Sequence, residues 1–244
     1  MEVIGVIPAR YASSRLPGKV LLDILGKPML QHVWERAKKS RLLDELLIAC
    51  DDERVLAAAR KFGAKAVMTS VDHASGTDRI AEAMKGRPAD IIINIQGDEP
   101  LIAPSVIDAL AKALLKDEHC PMATVIKPVA FSEELENPNV VKVVVDARGY
   151  ALYFSRSLVP FPRAKVSADF KFYKHLGIYA YRKDFLMKFK KLPASALEKA
   201  ERLEQLRVLE AGFHIRTVET DMDTIGVDTA EDLKKVEAHM RGNR

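Results

Sequence analysis

Only two cysteines, Cys50 and Cys120, occur in the 244 residues of this chain. They are too few and too far apart to suggest a disulfide framework or a zinc pattern. Cys50 closes an apolar stretch and reads as a small core residue. No apolar run approaches the roughly 18 residues of a membrane-spanning helix. No basic segment precedes the first apolar stretch, so neither a membrane span nor a secretory leader is expected. The cytoplasm is therefore the expected compartment. An excess of one charge is missing too: 38 cations stand against 34 anions, interspersed, for a net charge of +4. Such a surface admits an anionic small molecule without calling for nucleic acid. No basic tract carries interleaved aromatics, so no nucleic-acid partner is expected. Internal repeats, low-complexity stretches and a linker long enough to split the chain are also lacking.

Two nucleotide-binding motifs are absent. Residues 3–7 read as a first strand, stopped by Pro8. A P-loop in the following segment would need Gly at 13 and Ser or Thr at 20, and the chain has Ser13 and Val20. The dinucleotide glycine fingerprint is missing as well, because Gly5 lies inside the strand and no G-x-G follows. What the segment does hold is Arg10, Arg15 and Lys19, mixed with small residues and the hydroxyls of Ser13 and Ser14. Guanidinium forks and backbone N–H groups are what a polyphosphate needs. A solvated loop is the other reading of any one of these cations.

Hydrophobic residues make up 48% of the chain, enough for a full core. Up to about residue 120 strand and helix alternate. Helices are expected over 28–39, 52–62, 76–85 and 105–116, and strands over 45–50, 66–69 and 90–96. Acidic residues open the second helix and Gly63 stops it. This alternation argues for a parallel, doubly wound sheet. Beyond it, strands are expected over 122–126, 140–145, 151–154, 176–181 and 215–218, with few helices between. Residues 156–172, with Pro160 and Pro162, read as a long loop or arm. The clearest helix is 195–211, with a Ser195/Glu198 capping box, a Leu203, Leu206, Leu209 stripe, and Gly212 after it. A last helix covers about 229–240. One α/β domain over 1–244 accounts for this pattern.

The most informative stretch is 94–100. It leaves an apolar strand and at once presents Gln96, Asp98 and Glu99 around a flexible Gly97, with Pro100 blocking helix continuation. Open α/β sheets bind ligands at the C-terminal ends of their strands. Asp98 there suits Mg²⁺, a hard cation that shares oxygen ligands with substrate phosphates. Gly-Asp-Glu-Pro is also good turn chemistry anywhere. Residues 72–79 start a helix, where Ser75 and Asp78 make a capping-box-like pair, and where free N–H groups and Arg79 could meet an anion. Asp228 precedes a helix cap and gains interest only if the fold brings it beside Asp98.

Several blocks resemble one known family. They are 7–19 (Ile7-Pro8-Ala9-Arg10 through Pro17-Gly18-Lys19), His73-Ala74-Ser75-Gly76-Thr77-Asp78-Arg79 and Asn94-Ile95-Gln96-Gly97-Asp98-Glu99-Pro100. They continue with Gly149-Tyr150-Ala151-Leu152-Tyr153-Phe154-Ser155-Arg156, His175-Leu176-Gly177-Ile178-Tyr179, Leu203-Glu204-Gln205-Leu206-Arg207 and Gly226-Val227-Asp228-Thr229. In order and over nearly the whole chain, these are similar to the 3-deoxy-manno-octulosonate (Kdo) cytidylyltransferases; residues 160–172 match least. The resemblance implies a Rossmann-like nucleotide-diphospho-sugar transferase fold, mainly a parallel sheet with a smaller mixed β dimerisation region at about 129–182. It implies activation of Kdo by CTP, giving CMP-Kdo and pyrophosphate for lipopolysaccharide synthesis, with Mg²⁺ and as a homodimer.

Carried over residue by residue, the resemblance gives the triphosphate to Arg10, Ser13, Arg15 and Lys19. Pro8, Ala9, Ser75, Gly76 and Arg79 would seat the nucleotide, and Asp98 and Asp228 would hold Mg²⁺. Arg10 and Lys19 would join those carboxylates in catalysis. Gln96, Arg156, His175, Tyr179, Glu204 and Gln205 would line the sugar site. Arg156 has a chemical reason of its own, since a sugar carboxylate calls for a bidentate arginine. Tyr179 as core, His175 as a strand end and Glu204–Gln205 as a solvated helix face are the structural readings of the others. Two further readings stay open: activation of another sugar acid, such as an amino-substituted Kdo, and a non-catalytic nucleotide-binding protein. Phe131, Phe161, Phe170 and Phe172, in a stretch that breaks the strand–helix alternation, are expected at a contact between two copies of the chain, the other reading being that they cover one end of the chain's own sheet.

Overall fold

The structure is a computed structural model that describes all residues except 13–15, 131, 132, 165, 166, 168, 169, 223, 224, 243 and 244, and the side chain of Glu133. The chain forms two compact units, one of Met1–Ala111 with Thr224–Arg244 and one of Lys112–Asp223.

In the first unit, β1 (Val3–Ala9) opens the sheet with Val3, Ile4, Val6 and Ile7 all buried. A continuous apolar run of this kind belongs to a strand covered on both faces. A short hairpin, β2 (Asp23–Ile24) and β3 (Lys27–Pro28), leads into α1 (Met29–Ala37). Then follow β4 (Glu45–Cys50), α2 (Glu53–Lys61), β5 (Lys65–Met68), α3 (Gly76–Ala83), β6 (Ile91–Asn94) and α4 (Pro104–Lys116), in which the boundary between the units falls. β6, β1, β4 and β5 lie side by side in that order, every pair parallel. The expected alternation of strand and helix is therefore present. Asp52 caps α2 by accepting from the Arg54 N–H, and Ser75 caps α3 by accepting from the Asp78 N–H.

Pro8 does not stop the first strand as expected. β1 runs on through Pro8 to Ala9, paired with Ala49 and Cys50 of β4. Its other ladder, with β6, ends at Val6. The N–H that proline lacks would point to that side, where no ladder remains to miss it.

The second unit holds β7 (Met122–Val129), α5 (Glu133–Glu136), β8 (Lys142–Val145), β9 (Ala151–Ser155), β10 (Phe172–Arg182), α6 (Lys183–Phe189), α7 (Ala196–Glu201), α8 (Gln205–Glu210) and β11 (Ile215–Glu219). β10 pairs antiparallel with both β7 and β8, β8 antiparallel with β9, and β11 parallel with β7. This is the smaller mixed β region. The single helix expected over 195–211 is two helices. The Ser195/Glu198 capping box is present, but Arg202 takes a left-handed conformation (φ 54°) and ends α7. The break lets Leu203 and Gln205 both turn inward, which one continuous helix could not do two residues apart. α6 had no counterpart in the sequence reading; Phe185, Leu186 and Phe189 bury its inner face.

The chain returns to the first unit with α9 (Ala230–Gly242). Val227 and Val236 pack in one core cluster with Ile24, Met29 and Leu101. That cluster fixes the segment before α9 beside the loop that follows β6.

Candidate active site

Three loops at the C-terminal ends of parallel strands meet in the first unit. The loop after β6 approaches β1 closely: a Cβ on Gly97 would lie 2.8 Å from Pro8 O. Gly97 is therefore required by close backbone packing rather than by the flexibility its sequence suggests. The backbone N–H of Val227 donates to Asp98 O at 2.9 Å, which brings the segment before α9 alongside. Thr229 and Asp232 cap α9 reciprocally, N–H to side chain in both directions. Helix capping falls to Thr229, and Asp228 faces the site.

Asp98 and Asp228 meet there through a shared cation. Lys19 Nζ lies 2.6 Å from Asp98 Oδ2 and 3.0 Å from Asp228 Oδ1. Burial lowers the lysine's pKa, but the two carboxylates outweigh it and leave the group above its ordinary value. Lys19 is itself placed by a turn in which Gly18 takes a left-handed conformation (φ 66°) and donates its N–H to Tyr11 O at 3.1 Å. Ser13 and Arg15 lie outside the described residues.

Beside this trio lies a cavity of about 300 Å³. Pro8, Arg10, Lys19 and Val20 line one part of it, Gln96, Gly97 and Asp98 another, and residues His73 to Gly76 with Arg79 the rest. The N-terminus of α3 therefore borders the cavity, with the positive dipole end that suits a phosphate. Ala9 is buried at the end of β1. Arg10 is exposed at the rim. Arg79 is buried, and its guanidinium is engaged by Asp51 at 2.8 Å, Thr69 Oγ1 at 2.6 Å and Ser70 O at 3.2 Å. Asp51, which also accepts the Tyr11 N–H at 2.9 Å, escaped the sequence reading. Its only signal was position, an Asp directly after a buried strand, as Asp98 is. His73 Nε2 hydrogen-bonds the Glu82 carboxylate, which also accepts the Ser70 N–H.

Two oxygen donors around one cation fit a hard divalent metal. The Lys19 ammonium already shows that positive charge is favoured between Asp98 and Asp228. Among the described residues no group of three or more His, Cys, Asp or Glu is placed to hold a metal ion. Two carboxylates, with further oxygens from a substrate phosphate, are the donor set Mg²⁺ accepts.

The other expected site residues, Gln96 aside, lie in the second unit. Three of them come together: Tyr179 Oη donates to Gln205 Oε1 at 3.2 Å, and Gln205 Nε2 lies 3.5 Å from His175 Nδ1. Gln205 is buried, not on a solvated face. Glu204 precedes it as the first residue of α8's entry and raises the Tyr179 pKa further above a value that burial already pushes up. Burial drives His175 the other way, down to about 3. Arg156 has other hydrogen-bond partners. Its Nε donates to Glu201 O at 2.8 Å and its NH1 to Pro138 O at 2.9 Å, while Glu201 Oε2 accepts its backbone N–H. Of the expected contact aromatics, Phe161 is 79% and Phe170 44% exposed, whereas Phe172 is 2% exposed and is covered by its own chain as part of β10. Phe131 lies outside the described residues.

Among the described residues no helix is long and apolar enough to cross a membrane. Residues 4–221 match the family model described as cytidylyltransferase. The chain is 53% identical to a 3-deoxy-manno-octulosonate cytidylyltransferase of Syntrophobacter fumaroxidans, over 97% of this chain and 96% of that one. It is 51% identical to the enzyme of that name from Geobacter sulfurreducens, over 97% and 98%. Among solved structures, CMP:2-keto-3-deoxy-manno-octonic acid synthetase complexed with CTP superposes with a TM-score of 0.95 and 49% identity, each chain fully covered. A 4-diphosphocytidyl-2C-methyl-D-erythritol synthase from Anaerococcus prevotii shares the fold at 13% identity, with a TM-score of 0.63 and 98% and 96% coverage. The chain belongs to the cytidylyltransferase family, among its 3-deoxy-manno-octulosonate cytidylyltransferases.

Proposed function

We propose that this chain transfers the cytidylyl group of CTP to Kdo, forming CMP-Kdo and releasing pyrophosphate. The observation that carries the reading is the meeting of Lys19, Asp98 and Asp228 beside a cavity bordered by the N-terminus of α3, in a chain that matches CTP-using relatives end to end. An in-line attack by the anomeric hydroxyl of Kdo forms the new oxygen–phosphorus bond at the α-phosphate as the bond to pyrophosphate breaks; the hydroxyl proton is released. Both reactants are anions, so positive charge must offset their repulsion. Arg10, Ser13, Arg15 and Lys19 hold the triphosphate, and the Arg10 and Lys19 charges counter what grows on the leaving pyrophosphate. Pro8, Ala9, Ser75 and Gly76 seat the nucleotide, and Arg79 supports it by anchoring the surrounding loops through Asp51. Asp98 and Asp228 hold Mg²⁺, which when bound neutralises phosphate charge and makes the sugar hydroxyl more acidic.

Gln96, Arg156, His175, Tyr179, Glu204 and Gln205 bind the sugar acid. The protein works in the cytoplasm as a single functional domain over 1–244, a two-fold dimer through the exposed part of residues 129–182, and feeds lipopolysaccharide synthesis. The test is to incubate purified protein with CTP, Mg²⁺ and a panel of sugar acids and to follow pyrophosphate. Release should require all three components and favour Kdo. Equal turnover with ATP, or turnover of sialic acid but not Kdo, would overturn the reading.

A further inference from the structure

Thr124 is a lone hydroxyl in an apolar stretch of β7 and is wholly buried. It sits opposite Tyr179 of β10, just where the ladder between the strands shifts register after Leu176. Thr124 Oγ1 lies 2.9 Å from Ile178 O and 3.4 Å from Leu176 O, and 2.8 Å from His175 Nε2. A carbonyl can only accept, so the single hydroxyl hydrogen points at the backbone of the irregular stretch. Thr124 Oγ1 then has only lone pairs for His175, and Nε2 must carry the ring hydrogen. In a neutral imidazole that leaves Nδ1 bare.

The same logic runs on to the next residue. A bare Nδ1 accepts, so the Gln205 amide turns its nitrogen toward it, at 3.5 Å. Gln205 Oε1 consequently faces Tyr179, whose hydroxyl at 3.2 Å must donate. The one Tyr179 hydrogen is thereby used, and its oxygen offers only lone pairs to any further group. Protonation of His175 cannot reverse the chain near neutral pH. The ring packs edge-on to Phe154 at 4.9 Å and tilts over Tyr179 at 5.5 Å, and burial keeps it uncharged until far more acid conditions.

We propose that Thr124 is a positioning residue that sets the direction of the Tyr179–Gln205–His175 hydrogen-bond chain, so that Tyr179 accepts a hydrogen bond from a hydroxyl of the sugar acid and disfavours a carboxylate or ether oxygen there. This rests on the reading that these residues bind the sugar acid. The direction of the chain follows from the fixed donor and acceptor types alone. A hydroxyl of the sugar meets a lone pair and binds; an oxygen without hydrogen meets another lone pair and is repelled. Thr124 touches no substrate in this account. It acts through three other side chains, and its methyl group fills the same space whether or not the hydroxyl is there.

The test has two arms. Long-range ¹H–¹⁵N correlation spectra of protein labelled at histidine report which ring nitrogen of His175 carries hydrogen. Wild type should show the Nε2–H form across neutral pH, and Thr124→Val, which keeps the shape but cannot accept, should lose that preference. In kinetics, Thr124→Val should raise the KM for Kdo roughly tenfold, the scale of one hydrogen bond, leave the KM for CTP unchanged, and be rescued by Thr124→Ser. An Nδ1–H form in wild type would overturn the proposal, and so would an unchanged KM for Kdo in a variant that has lost the tautomer. If Thr124→Val fails to fold, the wild-type spectrum and the Thr124→Ser kinetics still decide. If wild type turns over no sugar acid at all, the functional reading fails, while the spectrum still fixes the direction of the chain.

Discussion

Asp51 Oδ2 and Arg79 NH2 lie 2.8 Å apart with side chains only 10% and 3% exposed, a nearly dry ion pair at the edge of the cavity beside Lys19 and Asp98. Asp51 follows β4 and also holds the Tyr11 N–H, while Arg79 reaches Thr69 and Ser70 after β5. One pair therefore ties together the loops that follow three strands, and sets where Arg10 and the N-terminus of α3 stand.

Breaking that pair should cost stability and nucleotide affinity together. Asp51→Ala leaves a buried guanidinium without its counter-charge, a change of about 3–5 kcal/mol in comparable cases. The double variant Asp51→Leu/Arg79→Met removes both charges and should cost less than the single change. Urea unfolding and the KM for CTP would report both effects. An Asp51→Ala protein with the wild-type unfolding midpoint would show that the pair is only a surface contact.

This pair also marks where the sequence stopped being legible. Local signals carried well: the strand at 45–50, the Ser195/Glu198 box and the cap at Ser75 all follow from chemistry within a few residues. Partners distant along the chain did not. Nothing near Arg79 names Asp51, and nothing near Thr124 names His175. Lys19 reaches Asp98 and Asp228 across 79 and 209 positions, and only the fold shows that the two carboxylates share one cation. The single helix expected over 195–211 failed for another reason. The leucine stripe at 203, 206 and 209 lies wholly beyond Arg202 and gives no sign of the break, where Arg202 turns left-handed without any glycine so that Leu203 and Gln205 are both buried.

Asp98→Asn and Asp228→Asn should each lose most cytidylyl transfer while the fold survives. An amide keeps the shape but is a poor ligand for Mg²⁺. Both carboxylates remain open to solvent, at 33% and 49% exposure, so neither is needed to fill a core. Pyrophosphate release and thermal unfolding, measured side by side, separate the two effects. Full activity in both variants would reduce these residues to turn and cap roles.

A dimer is expected through the second unit, where Phe161 and Phe170 stay in water in the single chain. Large aromatics left exposed usually mark a contact surface. Light scattering at micromolar concentration should give twice the 27.2 kDa chain mass, and Phe161→Asp should shift it toward the monomer. A wild-type protein that is fully active at the monomer mass would refute the assembly.

His175 should make the protein acid-sensitive in a defined window. Burial lowers its folded pKa to about 3, whereas an unfolded chain protonates histidine near 6.5. The unfolded state therefore binds a proton first as pH falls, and stability must rise with pH over that interval. Above about pH 6.5 neither state is protonated and His175 exerts no pH effect. Below it the folded protein loses up to about 1.4 kcal/mol per pH unit, so roughly 2 kcal/mol between pH 7 and 5. His175→Gln cannot take up the proton and should lack this component, although it also loses the contact with Phe154. Urea midpoints for the two proteins at pH 7, 6 and 5 isolate the histidine, because every other titrating group is common to both. The wild-type curve should fall more steeply; two parallel curves would mean that His175 takes up its proton as readily in the folded protein as in the unfolded chain, and the hydrogen-bond chain would then hold only above about pH 6.5.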